Sequence, residues 1–427
     1  MSVHCFVVNL PNRHKPSQRA IRLSTLVALL LFAGCSGSTD MPSRASITVG
    51  LDSGPVTLDP RFATDAIGSQ IGDLLFTALT TSDLHAQRRG WLASSWEMPD
   101  RLTYVFHLRQ GFEFADGTPL TADDVKATFD SILDPRVASP KRSGFGSTLG
   151  VDALDPYTIR FRLAAPFPPF LEATGLGILS RRQLAAAGAK PIHEPDGAGP
   201  FHVKRFAPDD QIVLEPNRTY PDGAPRLSRV LFRVVPDATT RALELARGDV
   251  DLVQNGVEPG LLPWLRARSD LEVLVGPSSS CQYLGMNLRR GPLSDVRVRR
   301  AIAHAIDRPA IIDGVLQGLA SPASGLLPPS HWAYNAHVAT YDFDATSAER
   351  LLDEAGYPDP DGPGPRPRFT LSYKTTTVEI RKRIAEALQA QLARVGIGLD
   401  IRTYEWATFY SDVRHGNFDV YSLAWVG

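Results

Sequence analysis

The side chains that could support catalysis are dispersed along this chain and form no recognisable motif. Two acidic pairs, Glu113 with Asp116 and Asp123 with Asp124, could suggest general acid–base chemistry, which uses paired carboxylates. Asp116 precedes Gly117 in a turn signal, and the second pair suits the start of a helix, so local structure explains both. The sequence contains no G-x-S-x-G, H-E-x-x-H, C-x-x-C or P-loop motif. We therefore expect a protein that is not an enzyme, and a secreted α/β hydrolase is the alternative from another class.

The ten histidines carry no metal signature. The close pairs, His193 with His202 and His331 with His337, lack the i, i+4 spacing or the neighbouring cysteine that is typical of a metal site. Lys and Arg total 45 against 46 Asp and Glu, a balance that disfavours nucleic acid as a partner. We expect no metal, no cofactor and no nucleic-acid partner.

A cysteine near the N-terminus points to lipid attachment. An apolar run over 23–33 is too short to span a membrane, and it follows four basic residues, Arg13, Lys15, Arg19 and Arg22. The run ends in Phe-Ala-Gly-Cys at 32–35, which resembles the lipobox of bacterial lipoproteins. We expect a signal peptide at 1–34, acylation of Cys35, and a tether at 35–45 that holds the protein on the extracytoplasmic side of a membrane. An ordinary secretory signal is the alternative.

The elements that would position a binding site alternate between strands and helices. Alternating and β-branched segments predict strands at 47–51, 104–108, 157–163, 212–215, 230–235, 271–275, 369–373, 399–404 and 418–423. Helices are predicted after the cap residue Thr121, from Asp237 to Gly248, and over an apolar stripe at 380–392 that stops at Gly396. This mixture predicts an α/β protein with at least two lobes.

Six ordered blocks of sequence carry a family resemblance. They are P-V-T-L-D-P at 55–60; W-E-M-P-D-R-L-T-Y-V-F-H-L-R at 96–109 with F-A-D-G-T-P-L-T-A-D-D-V at 114–125; G-P-F at 199–201; Tyr283 with Asn287; D-V-R-V-R-R-A-I-A-H-A-I-D-R at 295–308; and the segment 348–357 with the closing A-W-V-G at 424–427. Together these blocks resemble family 5 of the bacterial extracytoplasmic solute-binding proteins, which serve peptide and nickel ABC transporters. The resemblance runs from about residue 47 to the last residue.

This resemblance implies a two-lobed fold of the periplasmic-binding-protein type (type II), with mixed sheets, an extra subdomain and a hinge. Lobe 1 would comprise 46–80 and 190–275, the subdomain 81–189, and lobe 2 276–427. The resemblance also implies a monomer that encloses a small solute, here expected to be an oligopeptide, and delivers it to the permease subunits of an ABC importer. Nickel chelates, opines and oligosaccharides are alternative ligands within the same fold.

The resemblance further implies which residues contact the ligand. An extended peptide would pair its backbone with one segment on each lobe, and two block residues would line the site: Thr64, Asp65 and Ala66; Trp425, Val426 and Gly427; Tyr283 and Asn287. In dipeptide binders an arginine holds the ligand carboxylate at a position that falls here on Thr375, with Lys374 beside it. The missing arginine favours longer peptides over dipeptides.

The chain also departs from the family at its end. Peptide-binding members place an aspartate for the ligand α-amino group directly after the W-x-G segment, whereas this sequence stops at Gly427. The elements that close both lobes in the family would follow that point. We therefore expect a truncated reading frame or a fragment, and we expect residues 35–427 alone to be unstable. A non-functional truncated product is a further alternative.

Overall fold

The computed structural model describes residues 3–9, 46–83, 87–278, 280–329, 331, 333–362 and 364–425. The strands are β1 (Val3–Asn9), β2 (Ser46–Leu51), β3 (Thr80–Ser82), β4 (Arg88–Gly90), β5 (Ala93–Asp100), β6 (Thr103–Leu108), β7 (Thr148–Asp155), β8 (Thr158–Leu163), β9 (Phe201–Ala207), β10 (Gln211–Pro216), β11 (Arg229–Val234), β12 (Leu252–Gln254), β13 (Leu271–Pro277), β14 (Cys281–Met286), β15 (Phe369–Thr376), β16 (Ile397–Tyr404) and β17 (Val420–Trp425).

The helices connect these strands and cover their faces. They are α1 (Ala66–Leu75), α2 (Ala122–Leu133), α3 (Phe170–Ala173), α4 (Arg181–Ala187), α5 (Ala238–Arg247), α6 (Leu262–Arg266), α7 (Val296–Ala305), α8 (Arg308–Gly314), α9 (Ala345–Glu354), α10 (Glu379–Ala393) and α11 (Trp406–His415). Short 3₁₀ turns lie at Arg142–Phe145, Pro259–Leu261 and Gly291–Ser294. Within the described ranges, none of the helices combines the length and the apolar character needed to cross a bilayer.

The first lobe is built on a mixed seven-stranded sheet of order β13-β1-β12-β2-β11-β10-β9. Strand β2 is parallel to both β11 and β12, and β9 to β11 form an antiparallel meander. Helix α1 packs its buried side chains Ile71 and Leu75 into the same core as Phe201, Ile212 and Leu214. We call this sheet with its helices lobe 1.

Strand β1 is a feature that the sequence analysis missed. It lies between β12 and β13 and is antiparallel to both, and β13 is hydrogen-bonded to the rest of the sheet through β1. The segment Val-His-Cys-Phe-Val-Val-Asn is rich in β-branched and aromatic residues, which favour extended backbone. The expected leader at 1–34 thus contains seven residues that the structure pairs with lobe 1, while 10–45, including Cys35, lie outside the described residues.

The segment between 93 and 163 forms a separate antiparallel sheet of order β5-β6-β8-β7. Helix α2 packs on it around an aromatic core in which the ring of Phe161 lies 5.7 Å from that of Phe106 and 4.9 Å from that of Phe129, both edge to face. Such contacts add to the burial of the rings themselves. As predicted, α2 begins after Thr121, whose backbone N–H donates to the Asp124 carboxylate at 3.0 Å.

The second lobe contains a four-stranded sheet of order β14-β17-β15-β16. Strand β15 is parallel to β16 and β17, and β14 is antiparallel to β17. Helix α10 covers one face, where Ile384 and Leu388 share a core with Leu371 and Tyr373. We call this sheet with its helices lobe 2, and the chain passes from lobe 1 to lobe 2 between β13 and β14.

The predicted α/β class with two lobes is confirmed by this arrangement and by the similar structures given below. The predicted strands are present, although the last one begins two residues later than expected, at Val420. Asp237 caps α5 through a 2.7 Å bond from the Thr240 N–H, and Gly248 ends that helix with φ 83°. Besides β1, the prediction omitted the short strands β3, β4 and β12, each of three residues, and the longer strands β5, β7, β9 and β14, in which apolar alternation is weak.

Candidate functional site

The predicted lobe 1 contact segment lies at the start of α1. Asp65 is the N-cap, and its carboxylate accepts from the Gly68 N–H at 2.7 Å and from the Val56 N–H at 3.3 Å. Burial raises the pKa of Asp65, an effect that these bonds and the charge of Lys141 partly offset. Thr64 precedes this cap and Ala66 is the first helical residue. The Asp65 side chain therefore fixes the turn at the start of α1.

A cavity of about 110 Å³ lies beside this segment. Its wall combines one side of α1, including Ser69 and Asp73, with Trp91, Lys141 and the glycine-containing stretch 175–177. Burial raises the pKa of Asp73 and lowers the pKa of Lys141. All the residues that line this cavity belong to lobe 1 and its subdomain.

The predicted lobe 2 contact segment begins at the end of β17. Trp425 is 56% exposed and pairs with Cys281 at the start of β14, whereas Val426 and Gly427 lie outside the described residues. Tyr283 contacts Tyr421 edge to face at 6.0 Å, and burial raises its pKa. Gly285 leaves room for the Tyr421 ring, since a Cβ there would lie 2.3 Å from it. An aromatic face thus adjoins the exposed Trp425.

Asn287 fixes a loop. Its side-chain amide donates to the carbonyls of Gly416 at 3.1 Å and Phe418 at 3.0 Å, and its backbone N–H donates to Asp419 at 2.8 Å. These bonds tie the end of β14 to the start of β17. The amide N–H groups of Asn287 are therefore occupied, and its contribution to a site is to hold β17 in place.

Lys374 and Thr375 are occupied within lobe 2. The Lys374 ammonium lies 2.5 Å from the Asp412 carboxylate and 5.0 Å from the centre of the Tyr404 ring, and this contact lowers the pKa of Asp412. Thr375 is fully buried, with its hydroxyl 3.4 Å from that of Ser422. Neither side chain presents a free cation to a ligand carboxylate.

The structure instead brings Arg381 to the end of β15. This residue lies in the first turn of α10, and its guanidinium donates to the Thr376 hydroxyl at 2.9 Å. Partial burial lowers the pKa of Arg381, and the charge of Asp52 on lobe 1 partly opposes this effect. The apolar stripe of α10 gave no indication of this residue. The sequence feature that could have indicated Arg381 is a basic residue in the first turn of a helix that follows a strand, β15, which pairs in parallel with β16.

The two lobes meet around the start of α10. Arg383 forms an ion pair with Glu258 of lobe 1, and Leu319 of lobe 2 packs against the lobe 1 cluster that contains Leu265 and Val253. The charge of Asp52, which follows β2, acts across this contact to raise the pKa of Arg381. Among the described residues, no group of three His, Cys, Asp or Glu side chains converges to hold a metal ion.

Two α/β lobes that are joined between β13 and β14 and face each other across charged side chains have the architecture of a two-lobed solute-binding protein. Residues 87–427 match the family described as bacterial extracellular solute-binding proteins, family 5 Middle, and the chain belongs to this family. The family prediction is therefore confirmed.

Individual relatives bind chemically different solutes. The chain is 30% identical over 385 residues to a glutathione-binding protein of Escherichia coli O1:K1 / APEC, covering 89% of this chain and 73% of the relative. It is 32% identical over 364 residues to heme-binding protein A of Haemophilus influenzae, covering 79% of this chain and 65% of that protein. An ABC transporter-associated periplasmic binding protein of Helicobacter pylori, solved with the peptide STSA, matches with a TM-score of 0.81 and 28% identity over 90% of this chain and 78% of that one.

Proposed function

We propose that the protein captures oligopeptides between its two lobes and delivers them to the permease of an ABC importer. The observation that carries this proposal is the similarity over 90% of the chain to the peptide-bound Helicobacter pylori protein, which is itself associated with an ABC transporter. The glutathione-binding relative adds a second peptide-like solute. Binding between lobes couples recognition to closure, because contacts from both sides favour the closed state.

The proposed peptide contacts follow from the positions of the two backbone segments. We propose that the turn at 64–66 supplies main-chain groups on lobe 1 and that Trp425, at the end of β17, supplies them on lobe 2. Val426 and Gly427, which lie outside the described residues, remain part of the proposed contact segment. Main-chain pairing tolerates many ligand sequences, since it does not depend on side chains. The aromatic face formed by Tyr283 and Tyr421 provides apolar surface next to Trp425.

We propose the division of the chain given by the sequence: lobe 1 at 46–80 and 190–275, the subdomain at 81–189, and lobe 2 at 276–427.

We also propose that residues 1–34 are a signal peptide and that Cys35 carries lipid. Metabolic labelling with a radioactive fatty acid tests the anchor: we expect label in the unsubstituted chain and in Cys5→Ala, and none in Cys35→Ala. Label that persists in Cys35→Ala would refute the anchor.

Haem is the second candidate ligand, because the haem-binding relative has the higher sequence identity, 32%. Calorimetry on the full chain distinguishes the classes, with a tripeptide library, haemin, the nickel–histidine complex, octopine and a maltooligosaccharide as probes. We expect binding heat from the tripeptides. Heat from another probe alone would keep the solute-binding role and refute peptides as the ligand.

A further inference from the structure

Strand β1 lies between two strands of lobe 1 that share no hydrogen bonds with each other. All seven residues of β1 pair with β13, and Phe6, Val7 and Val8 also pair with β12. Because β1 is antiparallel to both neighbours, β12 and β13 are parallel to each other. Neighbouring strands lie about 4.8 Å apart, so the distance between β12 and β13 is about 10 Å. We call the gap that β1 fills, with the backbone edges of β12 and β13, the strand site.

Side chains outside β1 also hold the two walls of the strand site together. Val253 of β12 and Leu271 of β13 are buried in one apolar cluster, which contains Leu245 of α5 and Leu262 and Leu265 of α6 as well. Burial of these apolar side chains stabilises the arrangement without main-chain bonds between the two strands. The strand site therefore keeps its two edges in position when β1 is taken away.

The outer wall of the strand site is a regular and mainly apolar strand. β13 is the last strand of its sheet, its only charged residue is Glu272, and Leu274 and Val275 are 48% and 41% exposed with β1 in place. The register between β1 and β13 is continuous, whereas β9 and β10 shift register between Val213 and Leu214. Bulges and charges on a strand discourage pairing with a further segment, and a regular apolar strand favours it. β13 thus has the character of a strand that accepts extended backbone.

The occupant of the strand site belongs to the leader whose removal we propose above. Cleavage before Cys35 takes β1 away and leaves main-chain N–H and C=O groups of β12 and β13 without partners, which costs free energy. We propose that the strand site binds an extended peptide of about seven residues, and that segment 3–9 binds there whether or not it is attached to the chain. Main-chain pairing on both sides supplies the affinity, and β-branched and aromatic residues such as those of β1 favour the extended backbone. The strand site shares no residue with the proposed solute contacts at 64–66 and 425–427, so it is a second peptide site.

The test separates β1 from the rest of the folded chain. A specific protease site is inserted between Lys15 and Pro16 of the full chain, and the protein is cut after it has folded. Fluorescence anisotropy then follows the segment 1–15, labelled at its N-terminus, as the sample is diluted, with the uncut chain as the control. We expect a dissociation constant of about 1 µM or tighter, so that most of the segment stays bound at about 10 µM protein.

Competing peptides show whether main-chain pairing carries the binding. The synthetic peptide 3–9, under reducing conditions, should displace the labelled segment. Val7→Pro in that peptide removes the N–H of a residue that is paired on both sides, and Val7→Thr is the matched control that keeps the N–H and the branched Cβ. We expect Val7→Pro to compete about tenfold less well or worse, and Val7→Thr to compete within about twofold of the unsubstituted peptide.

Three results would overturn the inference. Release of 1–15 from the cut chain at about 10 µM protein would show that the strand site does not bind a detached segment. Equal competition by the unsubstituted peptide, by Val7→Pro and by a scrambled peptide would show apolar adhesion in place of strand pairing. Displacement of 1–15 by a saturating tripeptide library would show that the strand site and the solute site are one. Retention of 1–15 in the presence of that library, with the expected order of competitors, supports a separate strand site whether or not the chain captures oligopeptides between its lobes.

Discussion

Replacing Tyr373 by phenylalanine should stabilise the ligand-free protein, which is an unusual expectation for a fully buried position. The tyrosine ring is 0% exposed and its hydroxyl has no partner among the described residues, although the hydroxyls of Thr375 and Ser422 lie nearby. A buried hydroxyl without a partner costs about 1–3 kcal/mol of folding free energy. Phenylalanine keeps the ring contacts with Leu371 and Ile384 and removes that cost.

The free energy of unfolding, measured by urea denaturation without ligand, checks this sign. We expect Tyr373→Phe to raise it by about 1 kcal/mol or more. Tyr220→Phe is the control with the opposite sign, because the Tyr220 hydroxyl accepts from Trp91 Nε1 at 2.9 Å and its loss should cost about 1 kcal/mol. If Tyr373→Phe destabilises the protein as Tyr220→Phe does, the Tyr373 hydroxyl has a hydrogen-bond partner in the folded protein and the reasoning is wrong.

Three further outcomes follow from the structure. Lys374→Met should lower the urea midpoint at pH 7, because the pKa of Asp412 is lowered in the folded state by its bond to Lys374, so the pair stabilises above the ordinary pKa of 3.8. The urea midpoints of Lys374→Met and of the unsubstituted chain should converge as the pH falls through the lowered pKa of Asp412. A lower midpoint of Lys374→Met that persists in acid would show that lost packing, and not lost charge, destabilises the variant. Deleting residues 1–9 from the uncleaved chain should lower its free energy of unfolding by several kcal/mol, because β13 loses the strand that joins it to the sheet. An unchanged midpoint would show that β1 is dispensable, as the proposed removal of a signal peptide before Cys35 requires unless another segment fills the place of β1. Phe161→Ala should cost about 3–5 kcal/mol in the subdomain core, and a loss below about 1 kcal/mol would contradict the packing seen around that ring.

Local sequence rules predicted much of the fold. The Asp237 cap, the Gly248 stop and the apolar stripe of α10 rely on contacts within one turn or one face, and the structure confirms them. Strand β1 was missed because its pairing partners lie about 250–270 residues away, and no local pattern reports such a pairing. Its position inside an expected leader also removed it from consideration.

The site was harder to predict than the fold. Sequence position suggested Lys374 as a cation near the ligand, but the alternation of β15 turns that side chain toward Asp412 on α11. The position of Arg381 depends on the tertiary structure, which places it, partly buried, beside Thr376 at the end of β15. The local sequence does not show whether an arginine has an ion-pair partner, because the neighbours that decide this are distant along the chain.

The most direct test of solute capture between two lobes is small-angle X-ray scattering of the full chain, alone and with the saturating tripeptide library. Closure around a ligand brings the lobes together, so we predict a smaller radius of gyration with the peptides. An unchanged radius under conditions where calorimetry shows the peptides bound would contradict capture between the lobes.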